Sequence, residues 1–267
     1  MVATNAVAVR TGNVSAGTSV FAMIVLEKAL SKVYPEIDMV TTPTGKPVAM
    51  VHCNNCTSDI NAWAGMLKGF CEAAGVQVSM GDIYVAMFNA ALKGDKDCGG
   101  VINMPLFSGE PVVGLNEGRP MMIRTPDAAM NFANFSRSLV AGAMTSLKLG
   151  MDILAAENVK IDSLLGHGGY FKTPLAGQTI LAASLNTPIS VMETAGEGGP
   201  WGMALLAAYR ANKEEGQTLE AYLSEKVFAS AKSVSVAPEQ ADVDGLNAYT
   251  KQFAACLDAQ KAAIANL

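Results

Sequence analysis

Two rhythms of apolar and polar positions divide this chain near residue 57. Before it, short valine-rich runs alternate with turn signals, and Val2 to Val9, Val20 to Leu26, Ile37 to Val40 and Val48 to His52 each predict a strand. Gly12-Asn13 predicts a turn, while Pro35 and the Thr41-Thr42-Pro43-Thr44-Gly45 cluster predict loops. This succession reads as an antiparallel start to a mixed sheet. After residue 57 the period lengthens. Thr57 or Ser58 caps a predicted helix running to Ala74, with Ile60, Trp63, Ala64, Leu67 and Phe70 on one stripe. Asp82 to Leu92 is a second amphipathic stretch. Gly94 to Gly100 reads as a polar loop, Val101 to Leu106 as an apolar strand, and Phe107 to Arg124 as an irregular segment. Thr125 as N-cap and Pro126 at the first helical position open the longest predicted helix. Its Phe132, Phe135, Leu139, Ala143, Leu147 and Met151 keep a helical period toward Ala156. Strand Ile161 to Leu165, helix Pro174 to Leu185, strand Ile189 to Met192 and helix Trp201 to Asn212 then alternate, the mark of parallel βαβ units. A final helix is expected from Glu239 to Leu267. Neither a repeat nor a long linker interrupts this order, so residues 1–267 read as one α/β domain, a mixed sheet flanked by helices.

Composition removes several function classes. With 267 residues, half of them hydrophobic, the chain can bury one large core. A net charge of −5 and no basic stripe argue against nucleic acid as a partner. The longest unbroken apolar runs fall far short of the ~20 residues a membrane helix needs. The opening residues lack the charged and apolar regions of a signal peptide. Five scattered cysteines, an odd number without framework spacing, predict reduced thiols and a cytoplasmic setting. Fifteen methionines point to adaptable packing only.

Three glycine-bearing segments carry the candidate chemistry. Ser15-Ala16-Gly17-Thr18-Ser19 lies at a predicted turn between strands. Its Gly17-Thr18-Ser19 tip presents backbone N–H groups and two hydroxyls together, a clamp for a terminal phosphate, and the same residues also suit an ordinary hairpin. Gly166-His167-Gly168-Gly169 and Gly196-Glu197-Gly198-Gly199-Pro200-Trp201-Gly202 each stand where a strand hands over to a helix. Glycine lets backbone approach a ligand there, and the helix N-terminus beyond it suits phosphate. Lys172 is the only cation beside either cluster, and it serves either to neutralise phosphate or as a surface lysine. His167 reads as a spacer with its ring on the surface, because a lone neutral histidine is a poor anion anchor. Glu197 is expected to face solvent or cap a helix.

The combination resembles the C-terminal domain of the FGGY carbohydrate kinases, among them xylulokinase, ribulokinase and glycerol kinase. The residues that carry it are Gly12-Asn13-Val14-Ser15-Ala16-Gly17-Thr18-Ser19, Phe107-Ser108-Gly109-Glu110, Gly166-His167-Gly168-Gly169, and Gly198-Gly199-Pro200-Trp201-Gly202-Met203-Ala204. The resemblance covers nearly the whole chain. It implies a ribonuclease H-like, actin-like ATPase domain that holds ATP and Mg²⁺ and faces a sugar-binding domain across a cleft. By the same resemblance Gly17 and Thr18, with Ser19, meet the γ-phosphate. Gly168 and Gly169 pass the α-phosphate and ribose, Thr173 nears the adenine, and Asn61 lines the base pocket. Gly198 and Gly199 open the helix near the adenosine. Glu110 is the candidate to hold Mg²⁺ through water, its alternative being a solvated loop carboxylate.

Two departures bear on function. The family often carries an aspartate near Ala183, where this chain reads Leu181-Ala182-Ala183-Ser184. The aspartate that deprotonates the sugar hydroxyl belongs to a Gly-Asp motif that falls ahead of Met1, so no catalytic base is expected within these residues. The expectation is therefore a separated ATP-binding half of a sugar kinase, inactive alone toward a pentulose or related sugar. A non-catalytic actin-like module that uses ATP as a switch is the alternative. An uncovered interdomain face favours homodimers without biological meaning. Cys53-Asn54-Asn55-Cys56 invites a metal reading, but zinc needs two more ligands, and His52, Cys71 and Cys98 are the only candidates. Small buried thiols at a strand end are the preferred reading.

Overall fold

The computed structural model describes residues 1–193 and 198–267, so Gly196 and Glu197 of the second glycine cluster lie outside the described residues. Its strands are β1 (Thr11–Ala16), β2 (Val20–Val25), β3 (Asp38–Thr41), β4 (Pro47–Cys53), β5 (Val101–Met104), β6 (Met121–Arg124), β7 (Ser163–His167), β8 (Ile189–Met192) and β9 (Ser233–Val236). Its helices are α1 (Ser58–Ala73), α2 (Met80–Ala91), α3 (Phe132–Ala156), α4 (Ala176–Leu185), α5 (Gly199–Asn212), α6 (Leu219–Tyr222), α7 (Gln240–Ala255) and α8 (Leu257–Asn266). Seven strands form one sheet in the order β3-β4-β2-β1-β7-β8-β9, while β5 and β6 pair separately. β1 runs antiparallel to β2 and parallel to β7, with Ser15 opposite His167. The segments that leave β1 and β7 therefore emerge side by side at one edge of the sheet. That edge, at the carboxyl ends of parallel strands, is where α/β sheets usually build ligand sites.

The first strand differs from the expectation. Val2 to Val9 is not a strand: Val2–Thr4 is a 3-10 turn. Val2 and Val7 are apolar because they pack with Leu205, Leu219, Tyr222 and Leu223 of the α5–α6 region. Gly12-Asn13 is no turn but the interior of β1, where a Cβ on Gly12 would stand 2.4 Å from the Met23 carbonyl oxygen. The hairpin tip is thus Gly17 to Ser19. The remaining early strands and helices α1 and α2 fall close to their predicted places. On α1, Ile60 and Ala64 are buried, but Phe70 at the far end of the stripe is exposed.

The longest helix also starts later than expected. Thr125 is not its N-cap. Thr125 N–H donates to the Gly100 carbonyl, and its own carbonyl accepts from Ala128, which makes a turn. Asn131 caps α3 instead, its side chain accepting from Asn134 N–H at 2.9 Å. At 25 residues α3 is long and apolar enough by length and composition to cross a membrane, but 72% of its most apolar window is buried inside this molecule. It is the spine of the main core, packed with Leu164, Ile180 and Met87. Its buried charges are paired: Arg137 with Asp242 of α7, and Lys148 with Asp152 one turn on.

The C-terminal part holds two elements the pattern did not predict, α6 and β9. The single final helix is in fact two, broken at Cys256. β9 adds antiparallel to β8, and Gln178 of α4 fixes it by donating to the carbonyls of Ile189 and Val234 at 2.9 and 2.7 Å. Tyr249 of α7 is fully buried, and its hydroxyl meets the carbonyls of Asn103 and Ser138.

Candidate functional site

A cavity of about 500 Å³ opens where the loops after β1 and β7 meet α1 and α2. Its size is ordinary for a small-molecule site. Gly17, Thr18, Thr57, Asn61, Gly81, Tyr84, Gly169, Lys172 and Thr173 line it, with Ile60, Phe88 and Tyr170 as apolar wall.

The hairpin tip is held from below. Gly17 N–H donates to the Ser19 carbonyl at 2.9 Å, and the Gly17 carbonyl accepts from both Thr57 N–H at 3.1 Å and Thr57 Oγ1 at 2.8 Å. Thr57 thus ties the tip to the start of α1 rather than capping α1 with its side chain. A Cβ on Gly17 would meet nothing within 4 Å, so this side of the tip is open.

The second wall comes from the turn after β7. Gly168 has φ +105, and a Cβ there would lie 2.3 Å from the Ala16 carbonyl oxygen. Gly168 therefore packs against the end of β1 and does not line the cavity. Gly169, the next residue, has nothing within 4 Å of its would-be Cβ and faces the open space. The 3-10 turn Gly169–Phe171 follows, and buried Tyr170 anchors it by donating to the Val140 carbonyl at 3.0 Å. Lys172 and Thr173 leave this turn on the cavity side. Among the described residues Lys172 is the one cation in the lining, so the cavity favours an anion.

The third wall is helical. Asn61 and Ile60 come from the first turn of α1, and Gly81, Tyr84 and Phe88 from one face of α2. Ser79 and Asp82 form a capping box that fixes where α2 begins. Tyr84 Oη donates to Asn61 Oδ1 at 3.0 Å, which joins the two helices at the cavity rim.

Of the residues singled out from sequence, Gly17, Thr18, Asn61, Gly169 and Thr173 come together here, and Lys172 joins them. Ser19, Gly168, Gly198 and Gly199 do not line the cavity. Gly198 and Gly199 open α5, whose Gly202 instead faces Ala3 of the N-terminal turn, where an added Cβ would stand 3.5 Å from the Ala3 nitrogen. Gly81, Tyr84, Phe88 and Tyr170 escaped the sequence reading, and Thr57 and Ile60 were expected only as a helix cap and a stripe residue. Tyr84 and Phe88 stand one helical turn apart, a spacing that also fits a plain core stripe.

Glu110 is neither a solvated carboxylate nor a cavity ligand. It is fully buried, and its oxygens accept from Asn54 N–H, Asn55 N–H and Asn55 Nδ2 at 3.3, 3.3 and 3.1 Å. Burial pushes its carboxyl up from the ordinary glutamate value, opposed by those donors. Asn55 Oδ1 in turn accepts from Phe107 N–H and Ser108 N–H. The Phe107-Ser108-Gly109-Glu110 segment is thus a clasp on the β4–α1 junction, whose Asn54 and Asn55 lie three and two residues ahead of the Thr57 that holds the tip. Among the described residues no group of three or more His, Cys, Asp and Glu gathers to hold a metal. The described residues offer no cage for Mg²⁺.

His167 is not a surface spacer. Its ring is partly buried, with Nε2 3.4 Å from Asn13 Nδ2, and burial lowers its pKa, helped by the nearby Met1 ammonium. Cys53 and Cys56 are free and buried, and burial raises both thiols far above the ordinary range. That makes them inert packing groups.

The mixed sheet with its flanking helices and edge cavity is the actin-like ATPase fold. Residues 12–211 match the FGGY family of carbohydrate kinases, C-terminal domain. The chain belongs to that family. Solved structures with the same fold include a ligand-bound xylulose kinase from Lactobacillus acidophilus, with a TM-score of 0.73 at 14% identity. It covers 97% of this chain and 49% of that one. A gluconate kinase from the same organism gives 0.72 at 15%, over 97% of this chain and 49% of that one. Plasmodium falciparum glycerol kinase with ADP gives 0.64 at 15%, over 94% and 48%. The chain therefore spans about half the length of these structures. A comparison with curated protein sequences gives no match.

Proposed function

We propose that this chain is the nucleotide-binding half of a sugar kinase, a single domain of residues 1–267 that takes ATP into the cavity. One observation carries the reading: five residues singled out as ATP contacts, drawn from three separate stretches of sequence, line one anion-favouring space at the strand ends. Phosphates fit the end made by Gly17, Thr18, Gly169 and Lys172, where bare backbone and one ammonium face the cavity. Asn61, Tyr84 and Phe88 suit a flat base. Phosphoryl transfer rests on positioning and charge stabilisation, with a base to accept the acceptor's proton. Thr18 and Lys172 supply positioning and charge at the donor phosphate. The sugar and its base would come from the remaining half of the protein, so the acceptor is a pentulose or related sugar hydroxyl bound outside these residues. The solved xylulose and gluconate kinases of the same fold support a sugar or sugar-acid acceptor.

The test is reconstitution. This chain alone should bind ATP and release no sugar-dependent ADP. The full-length protein, or this chain supplied with its missing half in trans, should phosphorylate a sugar. Robust sugar-dependent ADP release by the isolated chain would contradict the assignment of the base to the other half.

A further inference from the structure

We propose that Tyr84 selects the base of the bound nucleotide by direct contact, its proton held by Asn61; this rests on the nucleotide reading of the cavity. Tyr84 stands on α2 and Asn61 on α1, and both line the cavity. Tyr84 Oη donates its only proton to Asn61 Oδ1 at 3.0 Å. That bond decides what each group offers to a ligand. The Asn61 carboxamide has its oxygen turned to Tyr84, so its NH₂ is left to donate. Among the described residues no protein acceptor takes that NH₂. The Tyr84 oxygen, its proton in use, can only accept. The rim therefore presents one donor and one acceptor side by side.

A purine with an amino group at position 6 answers that pair. Adenine carries the N6 amino donor beside the N7 acceptor, whereas guanine offers two acceptors, N7 and O6, along the same edge. Guanine so placed sets its O6 against the Tyr84 oxygen, acceptor to acceptor. A site built to hydrogen-bond a group rejects an analogue that leaves its polar atoms unpaired. The position along α1 is also right. Asn61 lies one turn beyond Thr57, the anchor of the phosphate-side tip, a rise of about 6 Å at 1.5 Å per residue. Gly81, one turn before Tyr84, leaves the entry clear, since its would-be Cβ meets only Ser79 Oγ at 3.5 Å.

The experiment measures dissociation constants of this chain for ATP, GTP, purine riboside 5′-triphosphate and tripolyphosphate, in parallel with thermal melting. The wild-type chain should prefer ATP over both other nucleotides. Tyr84→Phe removes the oxygen that accepts from the adenine amino group and opposes guanine O6, and should narrow the ATP-to-GTP preference about tenfold, the worth of one lost hydrogen bond. The change should appear in that ratio and not in tripolyphosphate affinity, which a merely structural role would move as well. Asn61→Leu, at an exposed position, should narrow the same ratio even if Tyr84→Phe melts early. An unchanged ratio in both variants, with ATP still bound, overturns the base-selecting role and leaves the nucleotide reading standing. Failure of the wild-type chain to bind either ATP or tripolyphosphate overturns that reading and this inference with it.

Discussion

Gly168 and Gly169 are neighbours in opposite surroundings. Gly168 has a positive φ and touches the Ala16 carbonyl, so it serves the fold. Gly169 borders open space, so it serves the cavity. Gly168→Ala should cost about 1–3 kcal/mol of stability from backbone strain and crowding. Gly169→Ala should leave the melting temperature near wild type and weaken nucleotide binding. Thermal denaturation and ATP titration of the two variants separate these roles. The sequence displays one glycine cluster and cannot divide it, because the division depends on β1, some 150 residues away, lying alongside β7. Glu110 teaches the same point. A carboxylate in a loop reads as solvated until Asn54 and Asn55, from the β4–α1 junction, donate to both its oxygens.

Most elements were legible because their apolar period reflects the surface they bury. The failures came where an apolar run served another surface. Val2 to Val9 resembles a strand but buries Val2 and Val7 against α5 and α6 and leaves Val9 exposed. Thr125-Pro126 has the chemistry of a helix start and forms a turn, since Gly100 takes the Thr125 N–H and Asn131 caps the helix better. The segment between β2 and β3 has no period at all and is held by polar bonds: Ser31 N–H at 2.8 Å, Ser31 Oγ and Tyr34 Oη all donate to Glu157 beyond α3. These donors pull the Glu157 carboxyl down to about 2, from an ordinary 4.5. A depressed carboxyl stabilises its contacts above the ordinary value and loses them as pH falls through the lowered one. The clasp should therefore hold at neutral pH and open between pH 4.5 and about 2. Pepsin cleavage within residues 27–37 across that range should rise as pH falls. In Glu157→Gln it should already be high at pH 4.5. Equal cleavage of both proteins at every pH would remove the clasp from the account.

At the scale of the whole molecule, the match to the family ends at residue 211, yet the core does not. α7 seals α3 through Arg137 and Asp242, whose side chains are 1% and 4% exposed, and through Tyr249 and Phe253 in the interior. Asp242 is held below the ordinary aspartate range by Lys96 and Arg137, against the opposing effect of its own burial. Asp242→Ala strands a buried guanidinium and should cost about 3–5 kcal/mol in a denaturant melt. A chain ended after Asn212 should not fold. β9 and α6, which belong to this extension, were not legible because their residues are largely exposed or too few to show a period. The fold class was legible because the glycine motifs after β1 and β7 come together at one end of the sheet, and those turns are fixed by backbone geometry more than by side chains.

The central claim is that the loops after β1 and β7, with the first turns of α1 and α2, form one ATP site. Hydrogen exchange of this chain with and without ATP and Mg²⁺ tests it most directly. Exchange should slow at residues 17–19, 57–61, 81–84 and 169–173 together. Protection confined to the start of α5 at residues 198–202, or no protection at saturating ATP, would contradict it.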